Sequence, residues 1–465
     1  MTLKATTSQA FGWRFVLPLL AGSVLNPINT SLIATALVPI AAGIHVSVGK
    51  TAVLVSALYL ASAIAQPTGG KLAEEFGPRR VLIVGMLCVL AGGLIGGLGQ
   101  NLTTLVIGRV LIGVGSAAVY PSAMALIRRR ASAAGLDTPP GGVLGALVIT
   151  GSATAALGLP IGGVLVDTWG WRTAFLINIP VAAAALAMTL AWVPRDAPIA
   201  GPVSVREVAT RIDVAGIVGF GGTIAALLVF LLDLPQVNLP ALIAAILLGA
   251  ALVWWERRAT RPFLDVRLLA SNRALTRTHL RYALGALCVY SVLYGLTQWL
   301  EAGRGMSPRE AGLLLLPMSG LAAILAWPVS RRNLVRLPLI AAAAACLVAS
   351  AGVLFLAANT PIIWIAIITL GFGVTLGCVV SANQTMLYQQ VPAEQIGTAS
   401  GLFKTFGSIG SIASSAVIAI TFHAGANDAD LHLLAVIMII VSALGAVLVF
   451  ADRSIMTYHR TIRTR

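Results

Sequence analysis

Charged side chains are scarce in this chain. Aspartate, glutamate, lysine and arginine make up 10% of its 465 residues, whereas 58% of the residues are hydrophobic. A soluble domain carries about 25% charged residues, so the composition excludes an ordinary water-soluble fold. Apolar runs of about 20 residues, long enough to cross a bilayer as helices, recur along the whole chain. The alternating segments of about ten residues that are typical of membrane β-barrels are missing. The sequence therefore predicts an all-α polytopic membrane protein.

Cysteine and histidine are also rare, and neither is clustered. The four cysteines lie apart within apolar runs, and the five histidines are scattered. No metal-ligand spacing results, and no phosphate-binding loop of the Walker type is present. We therefore expect no cofactor, no metal and no direct use of ATP. A membrane-embedded enzyme, such as an acyl or glycosyl transferase, is disfavoured for the same reason.

Acidic residues are fewer than basic ones: the chain has 16 Asp and Glu residues and 31 Lys and Arg residues. The excess could indicate a nucleic-acid partner, but the basic residues concentrate in alternate loops, as the positive-inside rule describes for membrane proteins. The pattern favours a multi-pass protein of the bacterial cytoplasmic (inner) membrane with both termini in the cytoplasm. Its partner is then the lipid bilayer and not nucleic acid. The basic residues outside the pattern are Lys50, Arg172, Arg304 and Arg309 on the other side, and Arg109 inside a helix.

The apolar runs number fourteen, and charged links divide them into groups. Six spans precede the two charged links at the centre of the chain, two spans lie between these links, and six follow them. The division predicts a six-helix bundle over 1–194, two additional helices within 195–277 and a second six-helix bundle over 278–465. Arg79-Arg80 and Arg331-Arg332 follow the second span of each bundle, as parallel repeats would require, although any cytoplasmic loop can collect arginine. The predicted spans are 13–43, 51–70, 81–99, 103–127, 142–166, 172–193, 213–233, 238–255, 278–300, 310–330, 335–357, 361–387, 396–422 and 431–452.

The loop between spans two and three has a distinctive order of residues. It reads Gly-Lys-Leu-Ala-Glu-Glu-Phe-Gly-Pro-Arg-Arg over residues 70–80, which resembles the loop after the second helix of major facilitator superfamily transporters. The resemblance implies that Glu74 packs against the N-terminus of a helix in the second bundle, near 396–398, and holds the cytoplasmic gate closed. A carboxylate gains about 0.3–1 kcal/mol at a helix N-terminus. Glu75 and Pro78 depart from the family pattern. The residues that match it are Gly70, Glu74, Gly77, Arg79 and Arg80.

Arg109 stands inside the fourth span, where an unpaired arginine is costly. It begins the sequence Arg-Val-Leu-Ile-Gly, which resembles the Arg-x-x-x-Gly motif of the same superfamily. In that family the arginine is linked to proton transfer, so the resemblance implies that Arg109 takes part in proton coupling. The alternative is a residue near the outer end of the helix whose side chain extends to the membrane interface.

The fifth span contains Gly158, Pro160, Gly162 and Gly163 in the order Gly-Leu-Pro-Ile-Gly-Gly. This resembles the antiporter motif, with the proline displaced from the usual Gly-Pro-x-x-Gly-Gly. Together with Trp-Gly-Trp-Arg at 169–172, it resembles the fourteen-helix drug:proton antiporter group. The resemblance implies a kinked fifth helix that packs closely between the bundles.

Polar side chains deep in the spans are candidates for a substrate cavity, because substrate sites in this fold lie near the midplane between the bundles. In spans one and nine they recur at intervals of three or four residues, which places them on one helical face. The alternative is that they only join neighbouring helices. The candidates are Asn26, Asn29, Tyr120, Tyr290, Tyr294, Gln298, Asn383 and Gln384.

No Asp or Glu lies deep in the first six spans. Asn26 occupies the region in which the antiporter group commonly has Asp. Because a buried carboxylate is the usual proton carrier and the obvious counter-ion for a cationic drug, its absence favours a neutral, amphipathic or anionic substrate over a polycation. Glu74, Glu301 and His279 remain candidates for proton coupling. His279 lies between two arginines and is interpreted as part of a basic lipid-facing loop.

These features predict a secondary active transporter that works by alternating access. We expect it to export small amphipathic compounds in exchange for protons, as a monomer without cofactors. Uptake of a small metabolite is the alternative, since one fold serves both directions. A sensor or scaffold is disfavoured because no linker is long enough to hold a soluble domain.

Overall fold

The computed structural model describes residues 11–136, 141–197, 209, 212–232, 237–260, 262–391, 396–423, 425–452 and 455. Within this part of the chain, twelve helices are long and apolar enough to cross a membrane, and two shorter apolar stretches lie in α5 and α7. The helices are α1 (Trp13–Gly43), α2 (Ala52–Phe76), α3 (Pro78–Leu98), α4 (Leu102–Ala133), α5 (Gly141–Trp169), α6 (Thr173–Trp192), α7 (Val214–Leu232), α8 (Leu239–Glu256), α9 (Arg273–Gly303), α10 (Pro308–Arg331), α11 (Arg336–Val353), α12 (Ile362–Gln390), α13 (Ile396–Thr421) and α14 (Asp428–Phe450).

The prediction of an all-helical membrane protein is confirmed, and the fourteen apolar helices of the described residues agree in number with the fourteen predicted spans. A further short helix, Val266–Ser271, lies between α8 and α9. The bounds differ by a few residues. α4 continues to Ala133, beyond the predicted end of its span at 127. Its extra turns carry exposed Arg128 and Arg129, and the Arg130 guanidinium lies 5.2 Å from the Phe15 ring. The helix continues past the apolar run because arginine is a good helix former that water can solvate.

Two helices are irregular. α1 passes through a 3₁₀ turn at Ile33–Ala36, and α9 contains π turns at Val292–Leu296 and Trp299–Gly303. The π turn is rare and occurs often at functional sites. α9 also carries three of the predicted cavity residues, Tyr290, Tyr294 and Gln298.

We call α1–α6 the first bundle and α9–α14 the second bundle. In the first bundle, α3 and α4 approach each other through glycines. A Cβ atom on Gly92 would lie 2.6 Å from the Gly108 carbonyl oxygen, and one on Gly115 would lie 2.3 Å from the Gly85 oxygen. Small residues let helix backbones meet in lipid, where van der Waals packing replaces the hydrophobic effect as the attraction between helices.

The pair α7 and α8 packs where the two bundles meet. Phe220 of α7 is buried with Ala63 of α2, and Ile409 of α13 packs against the same group. Asp213, before α7, accepts a hydrogen bond of 2.7 Å from the Trp255 indole near the end of α8. The buried Asp213 carboxylate thus connects α7 with α8 at one end of the pair.

Candidate substrate cleft between the bundles

The ends of the helices define two faces of the molecule. Trp13, where α1 begins, contacts Trp192, where α6 ends, with ring centroids 5.1 Å apart. Asp452, shortly after α14, pairs with Arg277 at the start of α9 at 3.2 Å. We call this the terminal face, and the face at the other helix ends the opposite face.

The bundles contact each other at the opposite face. A Cβ atom on Gly49, before α2, would lie 2.7 Å from the Phe422 carbonyl oxygen after α13. A Cβ on Gly163 of α5 would lie 2.4 Å from the Pro308 oxygen at the start of α10. The backbones therefore touch without an intervening side chain at both places. We call these two contacts the seal.

Towards the terminal face the bundles separate. Ser415 of α13 hydrogen-bonds Ser56 of α2 near the seal. Lys404 lies about three turns nearer the terminal face on the same side of α13. It is exposed, whereas Phe403 and Thr405 beside it are buried. The exposure of Lys404 on the side of α13 that faces the first bundle indicates a cleft between the bundles that opens at the terminal face.

Three tyrosines join the bundles next to the seal. The Tyr294 hydroxyl of α9 donates to the Thr30 carbonyl oxygen of α1 at 2.7 Å and lies 3.2 Å from the Tyr59 hydroxyl of α2. Tyr290 stacks on Tyr294 at 5.8 Å and meets the Tyr59 ring edge-on at 5.3 Å. Tyr59 and Tyr294 are buried and Tyr290 is half-buried. The spacing in α9 predicts Tyr290 and Tyr294 on one face, but Tyr59 lies in an apolar run with no signal of its own.

The predicted asparagines of α1 join helices of the first bundle. Asn26 donates to the Ser116 hydroxyl of α4 at 3.1 Å and stays half-buried. Asn29 is buried, and its amide exchanges two hydrogen bonds with the Asn178 amide of α6. Asn26 is thus better placed than Asn29 to meet a substrate.

Arg109 is held inside the first bundle and is 1% exposed. Its Nε donates to the Leu54 oxygen of α2 at 3.1 Å, and its Nη2 donates to the Asn29 oxygen of α1 at 3.2 Å. The alternative of a side chain that extends to the interface is therefore wrong. Among the described residues no carboxylate forms an ion pair with Arg109. The guanidinium instead joins α1, α2 and α4 through backbone carbonyl groups.

Gln298 and Glu301 are buried in the second half of α9, on the side towards the opposite face. They are 0% and 6% exposed, and the second π turn begins between them. In the described part of the chain, neither side chain has a hydrogen-bond partner. An unsatisfied buried polar group costs roughly 1–3 kcal/mol, and an unpaired carboxylate costs far more. Such groups point to a function, or to partners that arrive in another conformation.

The remaining predicted cavity residues have different surroundings. Asn383 of α12 is buried inside the second bundle, and its side-chain oxygen accepts from Arg281 Nε at 3.2 Å. Arg281 in turn pairs with Asp452 at 2.5 Å. Gln384 is half-buried, and Tyr120 of α4 is 39% exposed. The structure thus groups Asn383 with an ion pair near the terminal face and not with the tyrosines.

His279 is buried, and its interpretation as part of a lipid-facing loop is wrong. Its Nδ1 lies 2.7 Å from the Leu275 carbonyl oxygen. Its ring is 5.1 Å from the Phe406 ring and 6.1 Å from the Phe403 ring of α13. α9 begins at Arg273, before the apolar run, and so turns His279 towards α13.

Residues 19–415 match the family model described as Major Facilitator Superfamily. The chain belongs to this superfamily. It is therefore a membrane transporter and not an enzyme, and alternating access of the two bundles is the general behaviour of its family. Superfamily transporters bind small-molecule substrates within the membrane.

Relatives and solved structures agree with this assignment. The chain is 32% identical over 450 residues to the uncharacterized MFS-type transporter YwoD of Bacillus subtilis (strain 168), covering 94% of this chain and 96% of that protein. It is 29% identical over 434 residues to the tetracenomycin C resistance and export protein of Streptomyces glaucescens, covering 90% and 77%. A crystal structure of the peptide transporter POT in complex with sulfate has a TM-score of 0.69 over 97% of this chain and 98% of that chain, at 14% identity. The last likeness shows the fold alone.

The superfamily loop between α2 and α3 is fixed to the first bundle. Gly77 has φ = +98°, which favours glycine. Asp196, after α6, accepts a hydrogen bond of 2.9 Å from the Arg80 N–H at the start of α3 and pairs with Arg129 at 3.3 Å. Arg79 donates to a carbonyl oxygen of α6 at 3.1 Å. Asp196 thus serves as an N-terminal cap for α3, and no motif in the sequence marks it.

The predicted gate latch involves Glu74 and the start of α13. Gly70 is half-buried in the last turns of α2, where the nearest atom to a Cβ would be 3.7 Å away, in Pro121. The side chains of Glu74 and of 396–401 lie outside the described residues. The latch therefore stays a prediction.

Alanine in place of Asp196 is expected to destabilise the first bundle. Loss of an N-terminal cap costs about 0.5–2 kcal/mol, so the midpoint of thermal unfolding should fall. Asparagine at the same position keeps an acceptor for the Arg80 N–H and loses only the partly exposed ion pair, worth about 0–1 kcal/mol. Thermal unfolding of the two variants in detergent should therefore rank alanine below asparagine. Equal stability of the alanine variant and the unmodified protein would contradict the capping role.

The glycines of the antiporter motif place α5 against both bundles. A Cβ on Gly158 would lie 2.5 Å from the Ser31 side chain of α1, and one on Gly162 would lie 2.9 Å from the α1 backbone. Gly163 faces α10 instead and forms part of the seal. Pro160 is buried within the same helix. Side chains larger than hydrogen at these glycines would separate the helices.

Proposed function

We propose that this transporter exports small amphipathic compounds across the bacterial cytoplasmic membrane in exchange for protons. The observation that carries the proposal is the cleft between the bundles, which is closed at the seal and open near Lys404. At its inner end the half-buried ring of Tyr290 supplies aromatic surface, and Tyr59 and Tyr294 are buried behind it. An aromatic lining with a few polar groups suits amphipathic ligands. The similarity to the tetracenomycin C resistance and export protein supports the direction of transport.

We assign the terminal face to the cytoplasm. The arginine pairs Arg79-Arg80 and Arg331-Arg332 lie at this face, whereas Lys50 and Arg304 lie at the other, in agreement with the positive-inside rule. Both termini are then cytoplasmic. The open cleft faces the compartment from which an exporter collects its cargo. We also retain, as proposals, a monomeric protein and the division into 1–194, 195–277 and 278–465.

We assign proton binding to Glu301. Glu301 is buried and has no partner among the side chains that the structure describes, which favours the neutral acid over the carboxylate. Opening of the seal would expose this side chain to the outside. Tyr290, Tyr294, Gln298 and Glu301 follow one another along α9 at intervals of three or four residues. This row of hydroxyl, amide and carboxyl groups leads from the cleft to the seal. It provides a route by which a proton taken up outside reaches the cleft.

Arg109 contributes to coupling through α1. It donates to the Asn29 carbonyl oxygen, and Tyr294 donates to the next carbonyl oxygen along the chain, at Thr30. A shift of α9 on protonation of Glu301 would therefore move the part of α1 that Arg109 holds. This gives the motif arginine an indirect role without requiring it to release its own proton.

Flux into proteoliposomes tests the proposal. The purified full-length protein is reconstituted with an acidic lumen, and uptake of tritiated naphthaleneacetamide, a neutral amphipathic probe, is followed over time. Exchange for one proton allows about tenfold accumulation per pH unit, because each factor of ten corresponds to about 1.4 kcal/mol. Accumulation should disappear with a protonophore and in empty liposomes. Flux that ignores both the pH gradient and the membrane voltage would contradict proton antiport.

A further inference from the structure

Lys404 is a charged residue that the proposed proton route does not use. Of the described side chains of α13, at 402–421, it is the only one that is exposed. Its neighbours face other helices: Phe403 stacks on Tyr282 of α9 at 3.9 Å, and Ile409 packs against α2, α7 and α8. Because the helix is enclosed along this length, the exposure of Lys404 is to the cleft and not to lipid.

The side of α13 that carries Lys404 faces the first bundle. Ser408, Ser411 and Ser415 follow it at intervals of four, three and four residues, which places all four on one side of the helix. At Ser415 this side touches the first bundle through Ser56. Eleven residues at 1.5 Å rise place Lys404 about 16 Å from that contact. Its ammonium group therefore lies along the wall of the cleft, well away from the seal.

No described acid pairs with Lys404. The four buried carboxylates of the described residues belong to other sites. Asp213 accepts from Trp255, Glu256 accepts from the Leu264 N–H, Asp452 pairs with Arg281, and Glu301 lies near the seal. A cation between protein walls attracts an anion more strongly than one on an open surface, because less water screens it. Within the described part of the chain, the cleft thus carries a positive charge without an ion pair at one end and the half-buried ring of Tyr290 at the other.

We propose that Lys404 binds an anionic group of the cargo, so that the substrate class is amphipathic acids with a carboxylate, sulfonate or phenolate. The apolar or aromatic body would lie towards Tyr59, Tyr290 and Tyr294, and the acidic group would remain near the mouth of the cleft. This inference rests on the proposed export function and names the chemistry of its substrate.

Binding of two matched probes tests the inference. Naphthaleneacetate and naphthaleneacetamide share ring and linker and differ only in the carboxylate. Dissociation constants of the tritiated probes are measured on the full-length protein in bilayers of phosphatidylcholine, which has no net charge. We expect the acetate to bind about tenfold more tightly than the amide, the fold-change that 1.4 kcal/mol represents. Lys404→Gln should bring the two constants together, Lys404→Arg should restore the difference, and Lys404→Glu should reverse it.

The control is Lys50→Gln, which removes an exposed lysine at the opposite face and should leave both constants unchanged. Equal binding of the two probes by the unmodified protein, no binding of the acetate, or a preference that survives Lys404→Gln would overturn the inference. If the amide still moves with the pH gradient, the export function stands and only the substrate class fails. If the protein prefers the acetate but shows no pH-driven flux, the substrate class stands and the export function fails.

Discussion

Glutamine in place of Glu301 is expected to abolish pH-driven accumulation while leaving exchange of cargo intact. Glu301 is buried, and within the described part of the chain both of its carboxyl oxygens lack a partner. Glutamine has nearly the shape of the neutral acid but cannot take up or release a proton. The bundles of Glu301→Gln can therefore still alternate around the cargo, although the cycle is no longer driven by protons.

Proteoliposome measurements separate these two properties. Accumulation under a gradient of one pH unit should fall from about tenfold to the level of empty liposomes. Exchange of labelled for unlabelled probe at equal pH should continue. Glu310→Gln is the matched control, because Glu310 is exposed and caps α10 through a hydrogen bond with the Ser307 N–H that glutamine can also make. Unchanged accumulation in the Glu301 variant would exclude it as the proton carrier.

Valine in place of Gly163 is expected to open the seal and to stop transport. A Cβ at this position would lie 2.4 Å from the Pro308 carbonyl oxygen and 3.0 Å from Arg309 Cα. Overpacking typically costs about 1–3 kcal/mol. This cost arises only in the conformation in which the opposite face is closed. A bias of about 1–3 kcal/mol changes the ratio of two conformations by about 5- to 150-fold. The variant should therefore reside mainly with its opposite face open.

Labelling of a cysteine near the seal measures this shift. Ser56 is buried beside the contact with α13, so Ser56→Cys, in a background without the four native cysteines, should react slowly with a maleimide. Gly163→Val should raise the reaction rate by about tenfold, in proportion to the conformational shift, and should lower flux. Gly320→Val in α10 is the control, because no atom lies within 4 Å of a Cβ there. Identical labelling and flux in the two valine variants would show that the Gly163 contact does not hold the seal.

The helices could be predicted because hydropathy is a local property of each segment. The structure confirms an all-α membrane fold, with fourteen apolar helices in the part of the chain that it describes. The bounds move mainly where polar residues extend a helix, as in α4. The loop at 70–80 could be recognised from its spacing alone. Its main anchor, Asp196, could not, because it is 116 residues from the N–H of Arg80 that it caps and has no pattern around it.

The surroundings of the polar side chains could be predicted only in part. The spacing of Tyr290, Tyr294 and Gln298 predicted that they share one side of α9, and it gave no sign of the two π turns in this helix. Spacing did not show that Asn383 meets Arg281, nor that His279 is buried against α13. Both depend on how far each helix rotates about its axis once it packs on its neighbours.

The sequence by itself determined that this chain is a membrane transporter of one superfamily, since apolar length and short motifs are sufficient for that conclusion. The tertiary structure decided which polar residues are available for chemistry. It shows that Arg109 is buried inside the first bundle and that Lys404 is exposed in the cleft. It also left Glu301 without a hydrogen-bond partner among the described residues near the seal. The physical reason is that the environment of a side chain in a bundle is set by the helices packed around it, and those come from distant parts of the chain.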